Sequence, residues 1–513
     1  TVFVEYPSEL GIRRNDNSTV EPLGSRKMGY KSYWERICIK NAHIRAGFAK
    51  SEKYWTSLWS KHQNSDQMKE LNCLQKINHF PGSWCIGRKD RLTRTLNTMK
   101  RVHGSNGNVF DFHPETFILP GERDALHRLM KSEISQAITA SSNGKTNKTF
   151  NSSSTTMGVA GGMWIVKPCA ASCGQGIKVM TGQQALELPR KKKVIVQRYL
   201  ARPYLIDGRK FDMRIYVLVS GVDPLRVYIH DEGLTRISTA KYSVKNLSNS
   251  YVHLTNYSIN KNAPNFKAAE FKDAAAAGSE EGSDCQEEDG TAGEQADPEM
   301  EGFKWSLAAF RRWLAKREGR EVMERTFDRI FDLCLKTMIA AESEITPQLH
   351  SSAQYRSNCF ELFGCDVILD SALCPHLLEV NVSPSLMGSS PLDKKIKGML
   401  IADVLHIVGM YPHDPALLRK YAAAGAGRTG EGVLRRGKDT LPANPFAFSS
   451  LSKLMSAQDR YRREPGPDSI DIAAMGETEA SWLLLLMAED ELQRARSSKY
   501  SSLLLTLRKK LFH

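Results

Sequence analysis

The amino-acid sequence predicts a mixed α/β (α+β) fold, and two kinds of segment indicate it. Short apolar runs of strand length, such as Trp164–Val166 and Val194–Val196, lie between polar turns. Residues 305–345 instead repeat apolar side chains at helical spacing. With 513 residues, 41% of them hydrophobic, the chain is long enough for two or three folding units.

The first part of the chain mixes strand and helix signals. Trp34, Ile37 and Ile39 are typical of a strand, whereas residues 89–99 indicate a helix. Residues 141–162 are rich in Ser, Asn, Thr and Gly, which predicts a mobile loop.

Two pairs of neighbouring strands follow. Residues 211–219 and 225–229 are joined by a short connection at 221–224, which predicts a hairpin. Residues 363–369 and 376–380 are predicted to form a second antiparallel pair.

Composition divides the chain into predicted units. An insertion rich in Ala, Gly, Glu and Asp over 268–301 lacks a hydrophobic period and is predicted to be disordered. Helices are predicted at 450–463, with a basic amphipathic character, and at 477–496. The predicted units are an N-terminal α/β subdomain (28–130), a central subdomain (131–197), a third subdomain (198–412), a linker (413–447) and a basic helical extension (448–513).

Charge and cysteine content limit the classes of binding partner and the cellular compartments that are compatible with this chain. The net charge of +14 and the pI of about 9.2 favour an acidic partner, which charge alone leaves open among nucleic acid, anionic membrane and acidic protein. The longest apolar run, 482–487, is too short to span a membrane. The 10 cysteines form no CxxC pair and no secretory signal opens the chain, so we expect a reducing, cytosolic compartment.

A lysine followed by a loop of small residues is the first chemical pattern. Lys167 ends an apolar strand, and Gly174 and Gly176 lie in the loop behind it. Backbone N–H groups of such a loop can approach phosphate oxygens, and the lysine adds positive charge. Walker A spacing is absent, and for this segment taken alone a tight strand–loop connection with an exposed lysine is favoured over a nucleotide site.

Charged residues alternate along one predicted strand. Lys210, Asp212 and Arg214 share one face because side chains two residues apart point the same way. Charges of mixed sign are costly to bury unless they are paired or bind a ligand. A ligand site and a salt-bridge network on a solvated face are both compatible with this pattern.

Three oxygen donors lie on the second strand pair. Glu379 and Asn381 point to one side of their strand, and Asp366 is expected opposite them. Two carboxylates and an amide oxygen suit Mg²⁺ that bridges nucleotide phosphates. The alternative is polar side chains on a half-exposed sheet, which an aspartate within an apolar strand disfavours.

In chain order, these patterns resemble the tubulin tyrosine ligase-like family of ATP-grasp ligases. The resemblance covers about residues 28–412. The resembling segments are Gly87–Leu92, Trp164–Pro168, Gln197–Leu200, Lys210–Arg214, His253–Ser258, Phe363–Asp366 and Glu379–Asn381.

The resemblance implies an ATP-grasp fold, ATP and Mg²⁺ as cofactors, and a role for each matching residue. Lys89, Lys167 and Lys210 would contact phosphates near Gly174, Gly176 and Asp212, and Gln197, Arg198, Tyr199 and Leu200 would form the adenine hinge. Asp366, Glu379 and Asn381 would hold Mg²⁺. Arg214 and Arg236 would hold carboxylate or acyl-phosphate groups, with Thr255 and Asn256 nearby. Cys173 stands where the family often has arginine, which leaves one loop contact open.

Within the family, residues 78–83, 204–208 and 381–386 resemble the initiating glutamylases, and Lys241 is a candidate partner for a carboxylate of incoming glutamate. The implied partners are free L-glutamate and the acidic tails of tubulin, or another acidic protein, in the cytoskeleton and, by extension, a cilium, flagellum or basal body. The basic helix at 450–463 would contact those tails or pack on the core. The competing hypotheses are a glycine or tyrosine ligase on the same scaffold and a non-enzymatic basic cytoskeletal or nucleic-acid binder.

Overall fold

A computed structural model describes residues 28–52, 55–71, 75–103, 109–142, 162–171, 174–264, 302–353 and 355–410. The predicted acidic insertion, the linker and the basic extension with its two helices lie outside the described residues, as does most of the predicted loop at 141–162. In the described ranges, no helix combines the length and the apolar composition needed to cross a bilayer.

A parallel four-stranded sheet opens the described chain, with strand order β2-β1-β3-β4. Its elements are β1 (Met28–Ser32), α1 (Ile37–Arg45), β2 (Phe48–Lys50), β3 (Ser57–Trp59), α2 (Ser65–Lys69), β4 (Lys76–Ile77), α3 (Trp84–Gly87) and α4 (Lys89–Val102). The helix predicted at 89–99 is confirmed. The strand predicted from Trp34, Ile37 and Ile39 is wrong, because the buried side chains there, Ile39, Ala42 and His43, recur at helical spacing.

An antiparallel four-stranded sheet follows, with order β5-β8-β6-β7. Its elements are β5 (Thr116–Leu119), α5 (Arg123–Ser142), β6 (Met163–Pro168), β7 (Lys178–Thr181), α6 (Gly182–Leu186) and β8 (Val194–Arg198). Both predicted strands are confirmed as β6 and β8. The predicted boundary between residues 130 and 131 falls inside α5, and β5 joins this sheet from the N-terminal side of that boundary.

The largest sheet is antiparallel, with order β12-β11-β10-β13-β14 and β9 paired to β10. The elements are β9 (Leu205–Ile206), β10 (Arg209–Val222), β11 (Leu225–Lys241), α7 (Ser250–His253), α8 (Tyr257–Asn260), β12 (Lys304–Ser306), α9 (Leu307–Glu318), α10 (Arg320–Ser352), β13 (Glu361–Leu369), β14 (Pro375–Asn381) and α11 (Pro391–Val408). Both predicted hairpins are confirmed. Trp305 lies in β12 and not in the predicted helix, because the Ser306 side chain caps α9.

The two faces of β10 explain where a cavity forms. Phe211, Met213 and Ile215 face the main core, which α9 and α10 complete. Farther along the strand, Tyr216 and Leu218 on the other face pack in a second core with α11 and the N-terminal sheet. At its start, that other face carries Lys210, Asp212 and Arg214, which belong to neither apolar core. This polar part of the strand is therefore available to form a site. The predicted mixed α/β fold is confirmed.

Candidate active site

A cleft that is open to solvent lies between the four-stranded sheet β5-β8-β6-β7 and the largest sheet. Strands β6, β8, β10, β13 and β14 contribute to its walls, together with the segment 253–256. Most of the predicted site residues line it: Lys89, Lys167, Gly174, Gln197, Arg198, Tyr199, Leu200, Lys210, Asp212, Thr255, Asn256, Asp366 and Glu379. The cavity therefore unites the three patterns that lie far apart in the chain.

Two buried lysines face this cavity from opposite sheets. Lys167 Nζ donates to Gln197 Oε1 at 2.7 Å, and Lys210 Nζ donates to the His253 carbonyl at 2.9 Å. Burial lowers the pKa of Lys167 to about 8 and that of Lys210 to about 7. Neither forms an ion pair within the described chain, so a bound anion would supply the charge partner that each lacks.

Lys89 connects three parts of the site. Its Nζ atom donates to the carbonyl of Ala171 at 3.0 Å and lies 3.1 Å from a carboxylate oxygen of Glu379. Helix α4, the loop after β6 and strand β14 therefore meet at this one ammonium group.

Two arginines and two aspartates form a buried network beside the cavity. Asp366 accepts hydrogen bonds from Arg214 Nε (2.5 Å) and Nη2 (3.2 Å) and from Arg236 Nη2 (2.8 Å). Arg236 also donates to both carboxylate oxygens of Asp212. Burial alone would raise the pKa of Asp366, but the two guanidinium groups outweigh it and hold that pKa well below its usual range.

The three predicted metal donors lie on neighbouring strands. Asp366 of β13 is directly opposite Glu379 of β14, and Gly364 is opposite Asn381. The Asn381 amide nitrogen donates to the Gly364 carbonyl at 3.2 Å, and no hydrogen bond within the described chain uses its side-chain oxygen. Asp366 and Glu379 line the cavity, whereas Asn381 lies outside its lining. Oxygen donors of this kind fit Mg²⁺.

The loop after β6 requires its glycines. Gly174 and Gly176 adopt φ angles of +76° and +70°, which side chains disfavour. A Cβ atom on Gly174 would lie 2.6 Å from Ile259 Cδ1 and 3.0 Å from Asn256 Oδ1. The loop therefore packs closely against the segment that carries Asn256. Ser172 and Cys173 lie outside the described residues.

Several predicted site residues are bonded elsewhere or lie outside the lining of the cavity. The Arg198 guanidinium donates to Glu133 and Glu115 and lies over the Trp164 ring, so its charge is already paired within the protein. Lys241 is exposed at the end of β11. Gly176, Arg214, Arg236, Lys241 and Asn381 are outside the cavity lining, although both arginines bond Asp366, which is within it.

The apolar part of the cavity lining was not predicted as part of the site from the sequence. Ile165, Ile177, Leu254, Ile368 and Leu378 all contribute to the walls and offer a surface for a flat, apolar group. Leu378 and its neighbour Glu379 both line the cavity because a register irregularity between β13 and β14 leaves Leu378 without a partner. Only the alternating faces of β6 and β13 gave a signal for Ile165 and Ile368.

A second cluster of possible metal ligands lies outside this cavity. Glu361 is fully buried and accepts hydrogen bonds from the Phe80 backbone (2.9 Å) and Ser83 Oγ (3.1 Å), and His79 Nδ1 lies 2.7 Å from it. The rings of His62 and His79 stack at 4.0 Å with an interplanar angle of 15°. The in-plane lone pairs of two parallel rings do not converge on one ion. We therefore interpret the cluster as a structural contact, in which Glu361 of β13 binds the segment that contains His79, Phe80 and Ser83.

The family model and the similar proteins that match this chain agree on one family. The family model described as the tubulin-tyrosine ligase family matches residues 66–288 and 282–416. The chain is 38% identical over 373 residues to human "Tubulin monoglutamylase TTLL4", covering 72% of this chain and 26% of that protein. It is 34% identical over 433 residues to human "Tubulin polyglutamylase TTLL5" (82% and 28%) and 34% identical over 418 residues to "Tubulin polyglutamylase ttll-4" of Caenorhabditis elegans (80% and 59%). The chain spans about a quarter of the length of the two human relatives.

Proposed function

The chain belongs to the tubulin-tyrosine ligase family, whose fold is ATP-grasp-like, and from this membership we propose that it is an ATP-dependent ligase. It attaches glutamate through an isopeptide bond to glutamate side chains of tubulin tails. The observation that carries the proposal is the single cavity in which Lys89, Lys167 and Lys210 face Asp366 and Glu379. The relatives' names support glutamate as the amino acid added.

The reaction has two steps. An oxygen of the acceptor γ-carboxylate attacks the γ-phosphorus of ATP, ADP leaves and an acyl phosphate forms. The amine of free glutamate then attacks the acyl carbon, an amide bond forms, and phosphate leaves while the nitrogen loses a proton. Phosphorylation is needed because a carboxylate oxygen is a poor leaving group.

The proposed roles of the residues follow from these charges. Lys89, Lys167 and Lys210 are the lysines that line the cavity within the described residues, and they bind the phosphates. Residues Gln197–Leu200 hold the adenine, and the backbone around Gly174 and Gly176 approaches the phosphates. Asp366, Glu379 and Asn381 are the residues that would hold Mg²⁺, which supplies positive charge to the phosphoryl oxygens.

The carboxylates of the two glutamates require cations of a second kind. We assign them to Arg214 and Arg236, because a guanidinium group pairs with a planar carboxylate through two parallel bonds. Asp366 and Asp212 hold both guanidinium groups in position. Thr255 and Asn256 lie on the cavity wall. Lys241, exposed at the end of β11, is assigned to the incoming glutamate.

The partners and location follow from the proposed substrate. The net charge of +14 favours the acidic tails of tubulin in microtubules, and other acidic proteins are secondary acceptors. An enzyme of this kind acts in the cytoplasm on the cytoskeleton, including a cilium, flagellum or basal body.

The direct test is incubation of the protein with ATP, Mg²⁺, labelled glutamate and microtubules, followed by mapping of the modified residue by mass spectrometry. We expect label on a glutamate side chain that requires both ATP and Mg²⁺. Incorporation of glycine or tyrosine instead would retain the scaffold but replace the amino acid. Microtubule binding without ATP binding would favour a non-enzymatic binder and overturn the proposal.

A further inference from the structure

Helix α4 carries a row of exposed arginines. Arg91, Arg94 and Arg101 are all exposed, and Leu92, Thr95 and Leu96 form the buried side of the same helix. At 3.6 residues per turn, the three arginines fall within about 80° of the helix circumference and extend over about 15 Å. We name these three residues the arginine stripe.

The stripe carries positive charge that the fold does not use. Helix α4 has five basic residues and one acidic residue, Asp90, whose carboxylate already bonds Arg88 at 3.1 Å. Within the described residues, none of the three stripe arginines forms an ion pair. Like charges on one helix face repel each other. Of the three arginines, Arg101 lies in the last turn, where the helix dipole favours a cation.

The N-terminal end of α4, where the stripe begins, lies at the cavity. Lys89, the first residue of α4, contacts both Ala171 and Glu379. The stripe therefore leads from the loop outward along α4.

We propose that the arginine stripe of α4 is a docking surface for an acidic polypeptide segment whose neighbouring residue enters the cavity as acceptor. The inference rests on the proposed function and adds to it the side from which the acceptor chain arrives. An extended chain rises about 3.3 Å per residue, so the stripe spans four to five residues of such a segment. Carboxylates on that segment would pair with the guanidinium groups.

Binding of a fluorescent Glu-rich peptide by the full chain, measured by anisotropy without nucleotide, tests the docking surface without requiring catalysis. The variant reverses the stripe charges (Arg91→Glu, Arg94→Glu, Arg101→Glu). The matched control carries Arg36→Glu, Arg128→Glu and Arg325→Glu, three exposed arginines that, like those of the stripe, form no ion pair within the described residues and do not line the cavity. A peptide with Gln in place of Glu shows how much of the binding depends on carboxylates.

We expect the stripe variant to bind the Glu-rich peptide about tenfold or more weakly than the control variant at low salt, with the difference shrinking as salt rises. ATP affinity and thermal stability should match the control, which separates lost docking from lost folding. Arg→Gln versions of the stripe should give an intermediate loss. Equal peptide affinity in the stripe and control variants would overturn the inference. If the wild-type chain binds the peptide through the stripe but ligates no glutamate, the docking surface stands and the proposed function fails.

Discussion

Asp366 and Glu379 offer a direct comparison, because they lie opposite each other on β13 and β14 and each carries one negative charge. Replacing either by its amide (Asp366→Asn or Glu379→Gln) removes the same charge from the proposed metal site. We expect both variants to lose ligase activity by at least about 10²-fold, since each loses a carboxylate that would hold Mg²⁺ against the phosphoryl oxygens. Their effects on stability should differ strongly.

The difference in stability follows from burial and from the number of partners. The Asp366 side chain is 3% exposed and accepts three hydrogen bonds from arginines. The amide at this position presents an N–H group to guanidinium donors and leaves buried positive charge unbalanced, which costs about 3–5 kcal/mol. The Glu379 side chain is 24% exposed and has a single ion pair with Lys89, so its amide costs about 1 kcal/mol or less.

Thermal and urea unfolding of both variants and the parent chain would measure this difference, alongside glutamate incorporation. The pH dependence gives an independent check. The folded-state pKa of Asp366 is depressed, so its stabilising contribution is present above the pKa of an unfolded aspartate, about 4, and is lost as the pH falls through the lower folded value. Equal destabilisation by the two amides would refute this account of the network, and normal turnover by Glu379→Gln would refute the metal assignment.

Three further predictions address other parts of the site. Burial lowers the pKa values of Lys167 and Lys210 to about 8 and about 7, so ATP affinity should fall by at least about tenfold between roughly pH 6 and 9 as the two lysines lose their charge. Calorimetry in buffers of different ionisation enthalpy should show that ATP binding takes up protons near pH 8. An ATP affinity that does not change with pH would contradict this prediction. Glu361→Ala should destabilise the chain by about 3 kcal/mol or more in urea unfolding, since its three hydrogen-bonding partners lose their acceptor. Glu361→Gln should destabilise it less. Equal free energies of unfolding for the two variants would refute a role for the charge. Gly174→Ala should weaken ATP binding more than Gly208→Ala. Both glycines have a positive φ, but only at Gly174 would the added Cβ have other atoms within 4 Å. Equal ATP affinities of the two variants would contradict the close packing of the loop.

Several features of the site could be predicted from alternation along strands. Lys210, Asp212 and Arg214 lie on one face of β10 and Phe211, Met213 and Ile215 on the other, as period-two spacing requires. The pairing of Asp366 with Glu379 followed from the short turn between their strands. The interpretation failed at Ile37, where a helical period was taken for a strand, and at Trp305, which precedes the capping serine of α9.

The sequence by itself determined the strands β6 and β8, the two hairpins, helix α4 and the residues whose charges demand a partner or a ligand, because these depend on local spacing and on the cost of burying charge. Only the tertiary structure decided which partners those charges have: Asp366 holds two arginines from β10 and β11, and Lys89 reaches from α4 to β14. It also decided that the irregularity between β13 and β14 turns Leu378 and Glu379 toward the same cavity. Such contacts depend on how separate sheets pack together, and the packing of distant segments leaves no periodic signal in the chain.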